Sequence, residues 1–161
     1  MHTVAVYAGS FDPITLGHVD IVRRGATLFE EVIVAVGQNP SKRYTFDLAE
    51  RVRIIKDALQ DVPNVRVDVF DGLLVDYCKE VGASVILRGL RAVTDFEFEF
   101  KIGLANMDMA PTIQTVFLLT EPSMLFVSSS LVREIASHKG DVSKYVPEAA
   151  ADALRKLYGN R

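Results

Sequence analysis

The sequence predicts an α/β fold: a doubly wound, five-stranded parallel sheet followed by C-terminal helices. Three observations lead there. Short apolar runs rich in β-branched residues recur along the chain. Most are continuous in hydrophobicity, as strands covered on both faces are. Helix-like segments alternate with them, the pattern of a parallel sheet wound by crossover helices.

The first run, residues 4–8, leads through Ser10-Phe11-Asp12-Pro13-Ile14-Thr15-Leu16-Gly17-His18 into a helix-like stretch beginning at Val19. Val19, Ile21, Val22, Ala26 and Phe29 share one face of it near helical spacing. The second run, 32–36, reads Val-Ile-Val-Ala-Val. Asp47 and Glu50 form a capping-box-like start for a helix to about Gln60. A third run at 65–70 precedes a helix from Leu73 to Val81 that Gly82 ends. A fourth lies at 84–87. The stretch Phe96-Glu97-Phe98-Glu99-Phe100 alternates like a strand, yet Phe96, Phe100, Leu104 and Met107 also keep helical spacing. Thr94 and Glu97 match a capping pattern, and no breaker intervenes almost to Pro111, which favours a helix. The fifth run is 115–119. Ser128-Ser129-Ser130 then opens a helix through about His138, ended by Gly140, and Pro147 sits in the first turn of a last helix, 147–158.

A chain of 161 residues, 49% hydrophobic and 24% charged, fits a single domain over 1–161. With 18 basic and 21 acidic residues its net charge is −3, which speaks against a general nucleic-acid binder and leaves room for a basic pocket. The single cysteine, Cys78, excludes an intrachain disulfide and suits a reducing cytosol. The N-terminus enters a strand pattern at once and no apolar run reaches membrane-spanning length, so the expectation is a cytoplasmic protein without leader or membrane span.

In an open parallel sheet, ligands bind beyond the carboxyl ends of the strands. Three polar clusters fall there: Ser10 to His18, Pro40-Ser41-Lys42-Arg43, and Arg88-Gly89-Leu90-Arg91. Gly17 lets backbone approach a ligand, and the helix start behind it offers unpaired N–H groups to an anion. Each cluster has a plainer reading when taken singly: a histidine that caps a helix, a solvated Lys-Arg pair, arginines facing water. Together at strand ends they converge on one cleft suited to phosphates. The serines at 128–130, with Arg133 one turn later, form a rim of hydroxyl and N–H groups. Gly-x-Gly-x-x-Gly and Walker A patterns are absent, and His2, His18, His138 and Cys78 lack zinc spacing, so no protein-held metal is expected.

With these residues assembled, the chain resembles the nucleotidylyltransferase superfamily, marked by Thr15-Leu16-Gly17-His18 and by Ser128-Ser129-Ser130-Leu131-Val132-Arg133-Glu134. Within it the chain is similar to the bacterial phosphopantetheine adenylyltransferase family over essentially its whole length. Gly9 to Pro13, Asn39 to Lys42, Glu50-Arg51, Arg88 to Arg91, Asp95 to Glu97 and Gly140 to Val142 carry that similarity. The resemblance implies a Rossmann-like nucleotidyltransferase fold and the reaction of ATP with 4′-phosphopantetheine to dephospho-coenzyme A and pyrophosphate, with Mg²⁺. It implies His18, Lys42 and Arg91 as catalytic groups, and Ser10, Lys42, Leu74 and Arg88 at phosphopantetheine. ATP would meet Ser10, Phe11, His18, Gly89, Leu90, Arg91, Glu99 and the stretch Met124, Leu125, Phe126, Val127, Ser128, Ser129 and Ser130. Similar proteins are homohexamers, and some are feedback-inhibited by coenzyme A. Three positions depart from the common pattern: Ser10 for Thr, Phe98 for Tyr, and Met124 for an aromatic. A phosphate monoester is already nucleophilic, so the expected catalysis is positioning and charge stabilisation of an in-line attack, with no covalent intermediate.

Overall fold

The computed structural model describes residues 3–159, with all their side chains except that of Thr94. Its elements alternate as the sequence predicts: β1 (Val4–Gly9), α1 (Leu16–Leu28), β2 (Glu31–Gly37), α2 (Leu48–Leu59), β3 (Val65–Phe70), α3 (Leu74–Glu80), β4 (Val85–Leu90), α4 (Val93–Met109), β5 (Gln114–Leu119), α5 (Ser129–Ser137) and α6 (Glu148–Tyr158). A single 3₁₀ turn, Pro122–Met124, follows β5. The five strands form one sheet of order β3-β2-β1-β4-β5. Every neighbouring pair is parallel. The chain winds outward from β1 in one direction and then, from β4, in the other, so the topological switch lies between β1 and β4.

The central strands show why their apolar runs are continuous. Ala5 and Tyr7 of β1, Val32, Val34 and Val36 of β2, and Val85 and Leu87 of β4 pack into a core layer with α1, α2, α5 and α6. The intervening Val4, Val6, Ala8, Ile33, Ala35 and Ile86 pack into a second layer that includes Val75, Tyr77 and Cys78 of α3. Alternate side chains enter opposite layers, both dry, so each position must be apolar. Burial holds the Cys78 thiol up at about 11, so it is protonated and unreactive near neutrality.

Four local expectations need correction. The first helix starts at Leu16 rather than Val19, because Thr15 caps it: its hydroxyl accepts the His18 N–H while the His18 ring accepts the Thr15 N–H. Helix α4 runs over the Phe-Glu alternation as predicted, but Ala92 is its N-cap and Thr94 lies inside it. The residue in left-handed conformation after α5 is Lys139 (φ 61°), not Gly140. Gly140 is required for another reason: a Cβ there would lie 2.6 Å from Ile135 Cγ2 and 3.0 Å from the Ile135 carbonyl oxygen. Pro147 is the N-cap of α6 rather than part of its first turn.

Candidate active site

A cleft of about 400 Å³ opens beyond the carboxyl ends of β1 and β4, at the switch point. The turn after β1 forms its floor. Phe11 takes a left-handed backbone (φ 47°) and buries its ring edge-on against Tyr7 and His18, at 5.4 and 5.2 Å between centroids. The buried Asp12 carboxylate accepts the Thr45 and Phe46 N–H groups at 2.7 and 2.9 Å. That pair of bonds ties the loop carrying Lys42 and Arg43 to the turn.

His18 sits in α1's first turn, on the cleft. The Thr15 N–H donates to its Nδ1 at 3.0 Å. A backbone N–H can only donate, so Nδ1 is unprotonated and the neutral ring carries its proton on Nε2, as a donor. Burial, and then the neighbouring Arg91 and Arg88, depress its pKa from 6.5 to about 4. His18 is therefore a neutral hydrogen-bond donor at physiological pH. Because the folded value lies below the unfolded one, His18 adds no pH dependence to stability above about 6.5; as pH falls toward 4 the unfolded chain takes up the proton first and stability drops. An NMR titration of ligand-free protein should give His18 a midpoint near 4. A midpoint at or above 6.5 would contradict the neutral-donor assignment.

The anticipated helix-start donors are present, but distributed differently. In α1 the Leu16 N–H goes to the Tyr145 carbonyl and the His18 N–H to Thr15 Oγ1. Gly17, which lines the cleft, has no such partner among the described residues. A Cβ on Gly17 would meet protein atoms only at ordinary contact distance (3.5 Å), so its bareness serves the cleft rather than packing. Helix α5 offers more. Ser128 caps it by accepting the Leu131 N–H at 3.1 Å, which leaves the Ser129 and Ser130 N–H groups at its positive end, both on the cleft. The Ser129 hydroxyl donates to the Pro13 carbonyl at 2.8 Å, so it braces the floor. Arg133 donates to the Asp12 carbonyl at 2.7 Å and to Ser130 Oγ at 3.3 Å.

The predicted cations converge on the cleft: Lys42, Arg88 and Arg91 all line it, as do Ser10, Phe11, Gly89, Glu99, Met124, Val127 and Ser128. They are not equivalent. The Arg88 guanidinium grips both carboxylate oxygens of Glu99, at 2.7 and 2.6 Å, and donates to the Ala8 carbonyl at 3.0 Å. Glu99 is thus the counter-ion of Arg88 as well as a lining residue. Arg91 pairs with Asp95 at 3.2 Å and donates to the Val127 carbonyl at 2.8 Å. Lys42 pairs with no carboxylate among the described residues; its Nζ donates to Ser10 Oγ at 3.1 Å. The uncompensated charge therefore lies on the β1–β2 side, around Ser10, Lys42 and Arg43, and at Arg133. Tyr7 and Thr120, which line the cleft, carry no sequence signal of chemistry because both stand within or beside strand runs. Four further expected residues do not line the cleft. Leu74 packs at the edge of the second core layer. Leu90 closes β4 without reaching the cleft. Leu125 and Phe126 are exposed, Phe126 resting edge-on against Tyr145.

A parallel sheet of this order, with a Thr-x-Gly-His helix start at its switch point, places the chain among cytidylyltransferase-like proteins, and the model of that family matches residues 6–135. The fold superposes on that of Plasmodium falciparum nicotinic acid mononucleotide adenylyltransferase complexed with NaAD, with a TM-score of 0.71 at 16% identity over 97% of this chain and 96% of that one. Sequence is far closer elsewhere. The phosphopantetheine adenylyltransferase of Caldanaerobacter subterraneus subsp. tengcongensis is 51% identical over 155 residues, covering 96% of this chain and 97% of the relative. That of Thermotoga neapolitana is 52% identical over 155 residues, 96% of each. The chain belongs to the phosphopantetheine adenylyltransferase family.

Proposed function

We infer that the chain transfers the adenylyl group of ATP to 4′-phosphopantetheine, releasing pyrophosphate and forming dephospho-coenzyme A in coenzyme A biosynthesis. The observation that carries this is identity above 50% along almost the full length of relatives with that name. The chemistry of the cleft agrees with it. The acceptor's phosphate needs no general base, and none is evident among the described residues: His18 is a donor, the cleft carboxylates Asp95 and Glu99 are spoken for by arginines, and that of Asp12 by the Thr45 and Phe46 N–H groups. What two polyanions need is position and compensating charge. In our reading Lys42 and Ser10 hold the acceptor phosphate, and Arg88, fixed by Glu99, donates to it in a set direction. Arg91, Arg133 and the N–H groups at Gly17, Ser129 and Ser130 receive the phosphates of ATP. The His18 Nε2–H donates to a nonbridging oxygen of the α-phosphate as charge builds there. Attack is in line, and no adenylylated enzyme forms.

No group of three or more metal-ligating side chains occurs among the described residues. A magnesium ion brought in with ATP would be carried by phosphate and water, as this ion commonly is. When bound it would neutralise phosphate charge.

The outer face of α4 supports self-association. Phe96, Phe98, Phe100, Leu104 and Met107 are each 44–64% exposed, beside Val93 and Leu119 at 86% and 74%. Such a concentration of exposed apolar side chains marks a contact surface, and the homohexamer expected from the resemblance would cover it. Feedback inhibition by coenzyme A belongs to the same proposal, since its pantetheine arm is that of the acceptor. Cytoplasmic residence is proposed with it; no helix among the described residues is long and apolar enough to cross a membrane.

The test is a panel of phosphorylated acceptors with ATP and Mg²⁺, read by pyrophosphate release and product mass. Phosphopantetheine should give dephospho-coenzyme A, with no label from α-labelled ATP retained on protein. Turnover with another acceptor in its place, or nucleotide binding without pyrophosphate release, would overturn the assignment.

A further inference from the structure

Arg51, on α2, is the bulkiest of the fully buried side chains, at 1% exposure. No carboxylate lies within ion-pair distance of it among the described residues, unlike Arg88 and Arg91. One guanidinium nitrogen donates to the Ser10 carbonyl at 2.8 Å and, more weakly, to the Gly37 carbonyl at 3.3 Å. Its Nε has no hydrogen-bond partner. The guanidinium carbon lies 3.9 Å from the centroid of the Tyr44 ring. Tyr44 in turn accepts the Asn39 N–H on its hydroxyl at 3.0 Å, and the Lys42 N–H closes on the Asn39 carbonyl at 3.0 Å.

A charge buried without a counter-ion is expensive, and replacing buried ionic groups by well-packed apolar ones is often neutral or stabilising. Its burial there calls for a reason beyond packing. The contacts supply one. Arg51 touches the turn that presents Ser10, the end of β2, and the ring anchoring the loop that presents Lys42. Those are the two groups whose side chains meet at 3.1 Å in the cleft.

We propose that Arg51 is a positioning residue for adenylyl transfer: from beneath the cleft it holds the Ser10 turn and the Lys42 loop in register, so that hydroxyl and ammonium face the acceptor phosphate together. The proposal rests on the functional reading above. Lysine cannot replace it, because an ammonium could reach the two carbonyls but lacks the flat guanidinium face that lies on Tyr44.

A double-mutant cycle tests it on the full chain. Arg51→Lys should lower kcat by ~10–100-fold, the scale of a small misplacement of reacting groups. In a Lys42→Ala background the same change should cost less than about 3-fold, since the group it positions is gone. Equal losses in both backgrounds, or unchanged kcat, would overturn the proposal. Hydrogen exchange gives a readout independent of the acceptor: the Asn39 and Lys42 amides should exchange faster in Arg51→Lys, while those of α4 are unchanged. Equal rates at Asn39 and Lys42 also overturn it. Should Arg51→Lys fail to fold, Tyr44→Leu, which removes the ring from a half-exposed position, enters the same cycle with the same expectations. An unaltered chain that does not turn over phosphopantetheine refutes the functional reading, and the exchange rates then decide the claim for Arg51.

Discussion

His18→Ala is expected to lower kcat by roughly two to three orders of magnitude, the loss of about 2.7–4 kcal/mol that accompanies removal of one preorganised donor to a developing oxyanion. The ring is held on several sides before any substrate arrives. The Thr15 N–H fixes Nδ1 and hence the tautomer. The Phe11 and Tyr7 rings confine the imidazole plane. Burial and the flanking guanidinium groups keep it neutral to about pH 4. A neutral imidazole gains most where charge appears only in the transition state, so the loss should fall on kcat far more than on the KM of ATP. The substitution also removes the acceptor for the Thr15 N–H, so thermal unfolding should be measured alongside. Near-normal kcat in a folded variant would remove His18 from the mechanism.

The parts of this molecule governed by local rules were readable in the sequence. Strands β1, β2 and β4 announce themselves because both of their faces are dry, and helix α1 because Thr15 and His18 satisfy each other's backbone groups. The cleft was readable because strand order fixes where ligands go. Interactions across elements were not. Arg88 and Glu99 are eleven positions apart, on a strand and a helix, and nothing in either segment indicates that they neutralise each other. Arg51 stands out in the sequence only, with Glu50, among the residues that carry the resemblance; tertiary packing draws it inward to two carbonyls and a ring. The Phe-Glu-Phe-Glu-Phe segment is a third case. Its helical spacing was legible, but the phenylalanines face outward while Glu99 is buried, the reverse of an ordinary surface helix. The self-association proposed above would cover the phenylalanines, and no single chain's periodicity can reveal a partner. Leu74, Leu125 and Phe126 were assigned by resemblance alone, and they do not line the cleft.

Lys42→Ala should reduce kcat/KM for phosphopantetheine by roughly 100-fold, since a charged hydrogen bond is worth about 1.5–3 kcal/mol and tenfold corresponds to about 1.4. The magnitude follows from how charge is distributed in the cleft. Arg88 and Arg91 each carry a carboxylate, so their net contribution to the field at an incoming phosphate is small. Lys42 carries none, and its ammonium already rests on the Ser10 hydroxyl, where the acceptor is proposed to arrive. Its removal strips that corner of its principal free cation and leaves Ser10 without its neighbour. The KM of ATP should move much less, because α5 and Arg133 are untouched. Lys42→Arg should recover only part of the loss: charge is restored, but a planar fork cannot occupy the site of a compact ammonium at the same distance from Ser10. Steady-state kinetics with each substrate varied in turn separates these outcomes. An acceptor kcat/KM within about threefold of the unaltered enzyme would mean that the paired arginines, despite their counter-ions, carry the acceptor phosphate instead.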